Sequence, residues 1–267
     1  MSGADTAPAT AGTVALVTET TYIELPPAPD LRADVACTWI GHVGDAGVPY
    51  TDRVLPDGCA DIVWDGSRLF VAGPDTGPVP LVTRPGQTYV GIRFRQGHAP
   101  AVLGCPASAI RDERPDLADV WGSPPARMTA EHLADAATAH AATLVLQRAA
   151  RAWLASATPA DPLADALVAA LSDTPAAGPG LVTSLAAHLG VTERSLHRRC
   201  TAAVGYGPKT LHRIVRFRRA LALGTSGTAP SLGALAAATG YADQAHLSRE
   251  CRRLAGQTPS VLFKTAT

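Results

Sequence analysis

At 267 residues the chain is long enough for two domains with separate cores. It holds no run of about 18 uncharged apolar residues, which excludes a membrane-spanning helix, and its five scattered cysteines make no CxxC pair or disulfide framework. The formal charge of zero conceals a split: residues 181–267 carry 12 Lys and Arg against three acids, a net +9, and residues 1–180 are correspondingly acidic at −9. A basic domain joined to an acidic one is the electrostatic footprint of a nucleic-acid module on a regulatory body.

Residues 1–12 are small and polar and read as a disordered tail, not a signal peptide; with reduced thiols the expected location is cytoplasmic. Short β-rich runs follow at 14–25, 35–42, 53–55, 61–64, 69–72 and 88–94. Turn clusters separate them, such as Pro56-Asp-Gly58 and the stretch from Gly73 to Gly77. This spacing predicts an antiparallel barrel or sandwich over 13–126. Strand alternation sets Cys59, Asp61 and Val63 opposite Ala60, Ile62 and Trp64, and sets Tyr89, Gly91 and Arg93 opposite Val90, Ile92 and Phe94. The aromatic and aliphatic face reads as core. Asp61 and Arg93 read either as an ion pair or as polar groups of a ligand cavity walled by Trp39, Trp64 and Phe94. These five are the candidate effector-binding residues. Cys37, Cys59 and Cys105, with His42 and His98, fit no zinc template, so neither metal nor cofactor is expected.

Pro100 opens a short helical turn, and 103–121 is mixed. Thr129 as N-cap predicts one long helix to 156, with Leu133, Ala137, Leu144, Ala149 and Trp153 at its apolar positions. Asp161-Pro162 predicts a further helix start, and Leu163, Leu167 and Leu171 mark its buried stripe. The helices at 129–173 are expected to link the domains, and the long one either packs on its own barrel or forms a homodimer seam. Residues 174–180 have linker composition.

The last 87 residues contain a degenerate repeat. Leu185-Ala-Ala-His-Leu-Gly190 is echoed by Leu235-Ala-Ala-Ala-Thr-Gly240, and Leu196, Cys200, Gly205 and Pro208 are echoed 51 positions later by Leu247, Cys251, Gly256 and Pro259. Each copy reads as an apolar helix, a glycine turn and an Arg-rich second helix, which is a helix-turn-helix. Thr192 and Asp243 are the expected caps of the two reading helices, and Gly190 and Gly240 the turns. Arg194, Ser195, Arg198 and Arg199, with His197 near them, are placed outward on the first. Gln244, Ala245, His246 and Arg249 are the candidate readers of the second. Arg can grip guanine O6 and N7 with two parallel bonds. A helix over 208–223, with Leu211, Ile214, Phe217 and Leu221 as its core stripe, separates the two readers. Cys200 and Cys251 each follow a core Leu by four and read as buried.

Over 181–264 the chain resembles the AraC/XylS family of bacterial transcription regulators. The stretches that carry the likeness are GYGPKTLHRIVRFRRAL at 205–221 and GYADQAHLSRECRRLAGQTPSVL at 240–262. The resemblance implies DNA-facing residues at Arg194, His197 and Arg198 and at Ala245, His246 and Arg249. One departure is Cys200 and Cys251, where the family usually carries a buried Phe. RVLPDGCADIVWD at 53–65, FVAGPDTGPV at 70–79, YVGIRFRQG at 89–97 and DLADVWG at 116–122 are similar to a sensor type found in some AraC-like regulators, which implies a cupin-like fold. The expected class is therefore α+β: a β-rich cupin-like barrel or sandwich, then helices, then an all-α tandem helix-turn-helix domain at 181–267. The expected function is sequence-specific regulation of transcription through double-stranded operator DNA. RNA polymerase and a small effector are the further partners the resemblance implies. It also implies dimerisation through the helices that follow the barrel. The rivals are a constitutive regulator whose N-terminal domain only dimerises, and a cupin-type enzyme. The enzyme is disfavoured by the absence of a run of His and carboxylate ligands on adjacent strands.

Overall fold

A computed structural model describes residues 21–44, 51–173, 180–226 and 231–263. Its strands are β1 Thr21–Leu25, β2 Val35–His42, β3 Thr51–Val54, β4 Asp61–Trp64, β5 Leu69–Ala72, β6 Val79–Val82 and β7 Thr88–Phe94. The expected run at 14–20 lies outside the described residues. β6 has no counterpart among the expected runs, and it contains Pro80, which cannot donate to a ladder and so suits an edge position. It survives in a two-stranded ribbon, where Pro80 faces Arg53 of β3. The other strands form one antiparallel sheet in the order β1-β2-β7-β4-β5. Of the expected barrel or sandwich, the closed barrel does not form: the strands make two antiparallel sheets, of five and of two strands, that do not close on each other.

Register decides which side chains share a face. Trp39 pairs with Gly91 and Asp61 pairs with Arg93, which places all four on one side. Gly91 is required there: a Cβ on it would lie 2.2 Å from the Trp39 ring. Ile62, Trp64, Val71, Val90, Ile92 and Phe94 bury the other side. That side is covered by α1 Ala99–Leu103, α2 Leu117–Trp121, α3 Ser123–Ala134 and α4 Ala139–Leu154.

The single helix expected from Thr129 is two. The chain breaks at 135–138, and Thr138 rather than Thr129 caps the second piece, accepting from Ala141 N at 3.0 Å. Thr129 lies inside α3, buried, its hydroxyl donating to Pro125 O at 2.9 Å. The break resets the helical phase. Ala142, Val145, Leu146 and Ala150 become the buried stripe, and Leu144 turns outward at 48% exposure.

The remaining helices are α5 Pro162–Ser172, α6 Leu181–His188, α7 Glu193–Val204, α8 Pro208–Thr225, α9 Leu232–Ala238, α10 Gln244–Ala255 and α11 Pro259–Leu262. They share a second core, separate from the sheet's. The start of α5 follows its sequence: Asp161 accepts from Leu163 N at 3.0 Å and Pro162 takes the first turn. Its stripe of Leu163, Leu167 and Leu171 is buried in the helix-turn-helix core, while Asp165 on the same helix meets His98 of the N-terminal domain at 2.8 Å. Most of the expected linker, 174–179, lies outside the described residues.

Candidate nucleic-acid interface

Both helix-turn-helix units are built by the same local chemistry. In the first, Gly190 takes φ +65°, and Val191 N donates to Ala186 O at 2.9 Å. In the second, Gly240 takes φ +74°, and Tyr241 N donates to Ala236 O at 2.9 Å. Left-handed backbone at these turns favours glycine. The reading helices are then capped as expected: Thr192 Oγ1 accepts from Ser195 N at 3.2 Å, and Asp243 Oδ1 accepts from His246 N at 2.6 Å. Ser231 caps α9 in the same way. The two units pack through α8, whose Leu211, Ile214 and Phe217 are fully buried.

Cys200 and Cys251 sit in that core with 1% and 0% exposure, and burial pushes both thiols up to about 12. The Cys200 thiol donates to Tyr206 O at 3.1 Å.

The candidate readers divide. Arg194, Arg198, Gln244, Ala245 and Arg249 are exposed in the first turns of α7 and α10. Among the described residues, no carboxylate pairs with Arg194, Arg198 or Arg249. His197 is exposed, with its ring over Gly207: a Cβ there would lie 2.6 Å from Nε2. His246 turns back to its own turn. Its Nδ1 accepts from Ala242 N at 3.4 Å, and its ring meets Tyr241 edge-on at 5.1 Å. Arg199 does not join the outward set. Its Nε donates to Asp161 Oδ2 at 2.7 Å, and a second bond completes a bidentate pair with the α5 cap. That pair holds the Asp161 carboxyl below the usual carboxylate range.

Two further arginines of α8 fix the platform, and sequence spacing did not single them out. Arg213 forms a two-pronged pair with Glu250 of α10 at 2.9 and 2.7 Å. Arg216 is buried; it donates to the Thr239 and Gly240 carbonyls at the end of α9 and lies 4.1 Å from the Tyr241 ring centre. Burial lowers its pKa.

The five expected effector residues also divide. Trp64 and Phe94 lie in the core beneath the helices, with Phe94 fully buried. Trp39 lies on the other face, which corrects its grouping with them: its indole N–H donates to Asp61 Oδ2 at 2.9 Å. Arg93 donates to both Asp61 oxygens at 3.1 Å, and stands 3.4 Å from Glu24 and 3.5 Å from Asp57. Burial pushes the Asp61 carboxyl up and the guanidinium opposes it, while the surrounding carboxylates hold Arg93 charged. Tyr22 packs against Trp39 at 5.7 Å. The thiols and histidines are dispersed: His98 bridges Asp34 at 2.9 Å and Asp165 of α5 at 2.8 Å. Among the described residues no group of three or more His, Cys, Asp or Glu could hold a metal, and no helix is long and apolar enough to cross a membrane.

Residues 185–265 match the family model described as a helix-turn-helix domain, and residues 23–116 match a domain of unknown function (DUF6597). No curated protein matches. Among solved structures the chain is similar to a probable AraC family transcriptional regulator from Rhodopseudomonas palustris, at 21% identity over 40% of this chain and 98% of that one, with a TM-score of 0.35. It is also similar to ToxT from Vibrio cholerae, at 10% identity over 93% of this chain and 98% of that one, TM-score 0.45. A form of ToxT bound to an unsaturated fatty acid gives 10% identity over 85% and 94%, TM-score 0.45. By these family models the chain carries a helix-turn-helix domain at 185–265, joined to a domain of unknown function at 23–116.

Proposed function

We propose that the chain is a sequence-specific transcription regulator whose α7 and α10 enter successive major grooves of double-stranded operator DNA. The observation that supports this reading is the pair of identically capped helices that present Arg194, Arg198 and Arg249 without a described carboxylate partner, on a domain of net +9. A bidentate arginine contact to guanine is worth about 1–3 kcal/mol of discrimination. Arg198→Ala and Arg249→Ala are each expected to weaken specific binding by that amount and to relax preference at one base pair, in different halves of the site. Selection from randomised duplexes reads this directly. Unchanged base preferences in both variants would remove these side chains from the reading face. RNA polymerase is the partner through which bound protein would act, and capture of polymerase on promoter DNA carrying the site tests it.

The effector, in this reading, lies on the sheet face that carries Trp39, Asp61 and Arg93, with Tyr22 beside them. Trp64 and Phe94 shape that sheet from behind. Arg93 is already met by Asp61, Glu24 and Asp57, so the face carries surplus negative charge. An effector presenting positive charge or N–H and O–H donors suits it better than a carboxylic acid. A melting-shift screen of amines, polyols and organic acids checks this. Stabilisation by amines or polyols that disappears in Trp39→Ala supports the site, whereas stabilisation by acids alone would reverse the charge argument.

In this reading the homodimer seam lies on the groove between α3 and α4, lined by Pro125, Met128, Val145, Ala149 and Trp153, where Met128 is exposed. Sedimentation of Met128→Asp is expected to shift dimer to monomer; a parent that is already monomeric would dismiss the seam.

A further inference from the structure

The segment 73–78, Gly-Pro-Asp-Thr-Gly-Pro, joins β5 to β6 and lies outside the sheet core. Its inner side is fixed to the N-terminal domain. Gly73 N donates to Glu113 O at 3.2 Å, Asp75 accepts from Arg114 at 2.7 Å, and Thr76 N donates to Asp112 Oδ1 at 2.7 Å. Its outer side meets the C-terminal domain at two points that are equivalent in the repeat. Gly205 and Gly256 are the left-handed C-caps of α7 and α10, at φ +92° and +66°. A Cβ on Gly205 would lie 2.7 Å from Pro74 Cγ, and one on Gly256 would lie 3.6 Å from Pro78 Cγ. Each helix end also receives an arginine from the N-terminal domain. Arg111 Nη1 donates to Gly205 O at 3.3 Å, and Arg53 Nη1 donates to Ala255 O at 3.4 Å. One loop, itself a Gly-Pro pair repeated four residues apart, therefore meets both reading helices at the same end. Arg194, Arg198 and Arg249, in the N-terminal halves of the same helices, stay exposed.

We propose that loop 73–78, with Arg53 and Arg111, is a positioning element for DNA reading: it holds the separation of α7 and α10, and so sets the number of base pairs between the two stretches read. The inference rests on the DNA reading proposed above. Without the loop, α8 is the main bridge between the units. A single helix leaves each unit free to rock about its packing, and one base pair is only about 3.4 Å along the axis. A second bridge at the far ends of both readers removes that freedom. Because the bridge is built on the N-terminal domain, an effector bound there can alter which spacing is accepted without touching a base reader.

The test uses the full chain and duplexes in which the two selected half-sites are separated by spacers varied one base pair at a time. The variants are Pro74→Ala/Pro78→Ala and Arg111→Ala; Arg111→Lys, which keeps the charge but changes the reach to Gly205 O, guards against a folding defect. For the parent, a spacer wrong by one base pair is expected to cost about as much as one mismatched base, roughly tenfold or more in affinity. All three variants are expected to flatten that profile severalfold while keeping the parent's base preferences within each half. An unchanged spacer profile in the variants would assign spacing to α8 alone and overturn the proposal. Uniformly tighter binding at every spacer would overturn it too, by making the loop an inhibitory cover. A parent with no base preference at all would instead refute the DNA-reading premise, which separates the two failures.

Discussion

Asp161 shows how one side chain can serve two structures at once. It caps α5 through Leu163 N and anchors Arg199 of the first reading helix. Asp161→Ala is expected to cost about 1–2 kcal/mol, mostly through the lost cap. Asp161→Asn keeps a cap and loses only the partly exposed ion pair, so about 1 kcal/mol or less is expected. Urea melts of the two variants decide between these contributions; equal losses would mean that the ion pair dominates. The pH dependence follows from the lowered carboxyl. A depressed folded pKa contributes stability that is complete above the ordinary carboxylate value, near 3.9, and is lost as pH falls through the folded value. The parent should therefore lose more stability than Asp161→Asn between about pH 5 and pH 2. Parallel acid profiles would refute the linkage. The cap was legible in the Asp161-Pro162 dipeptide. The fate of Arg199 was not, because helical spacing counts it with the outward residues and only the docking of α5 supplies its carboxylate.

At the scale of elements, α5 is the piece whose role changes most. Its leucine stripe was legible from period alone, but a stripe does not say which core it enters. Leu163, Leu167 and Leu171 bury themselves against the helix-turn-helix units. Leu167, at 1% exposure, should cost about 2–5 kcal/mol on truncation to Ala, with the loss registered in the C-terminal domain. A fragment beginning before Asp161 is expected to melt cooperatively, and one beginning at residue 175 to melt at a lower temperature or without cooperativity. Indistinguishable melts of the two fragments would mean that α5 does not stabilise the C-terminal core. The division of the expected long helix at 135–138 has a different origin. Ala-rich sequence favours helix on both sides, and Thr138 is an adequate cap, so local propensity allows either one helix or two. Packing decides, because the break brings Leu146 and Ala150 to the sheet while Leu133 stays buried.

For the whole molecule, the charge split makes a direct prediction. Each phosphate neutralised should contribute about −0.9 to the slope of log affinity against log salt, so a chain gripping six phosphates would show a slope near −5. A slope near zero would mean that the +9 domain does not lie along DNA. What the sequence determined by itself is local. The glycine turns, the caps at Thr192 and Asp243, and the buried Cys200 and Cys251 all follow from chemistry within a few residues or from helical period. The repeat then multiplied a weak signal by two, which is why the helix-turn-helix units were legible before any fold. The tertiary structure alone decided the open sheet in place of a barrel, the transfer of Trp39 to the Asp61 face, the recruitment of Arg199 by α5, and the meeting of loop 73–78 with both reading helices. Each of these depends on strand register or on contacts between residues far apart in the chain. Hydrophobic period records which face of an element is buried, but carries no record of what it is buried against.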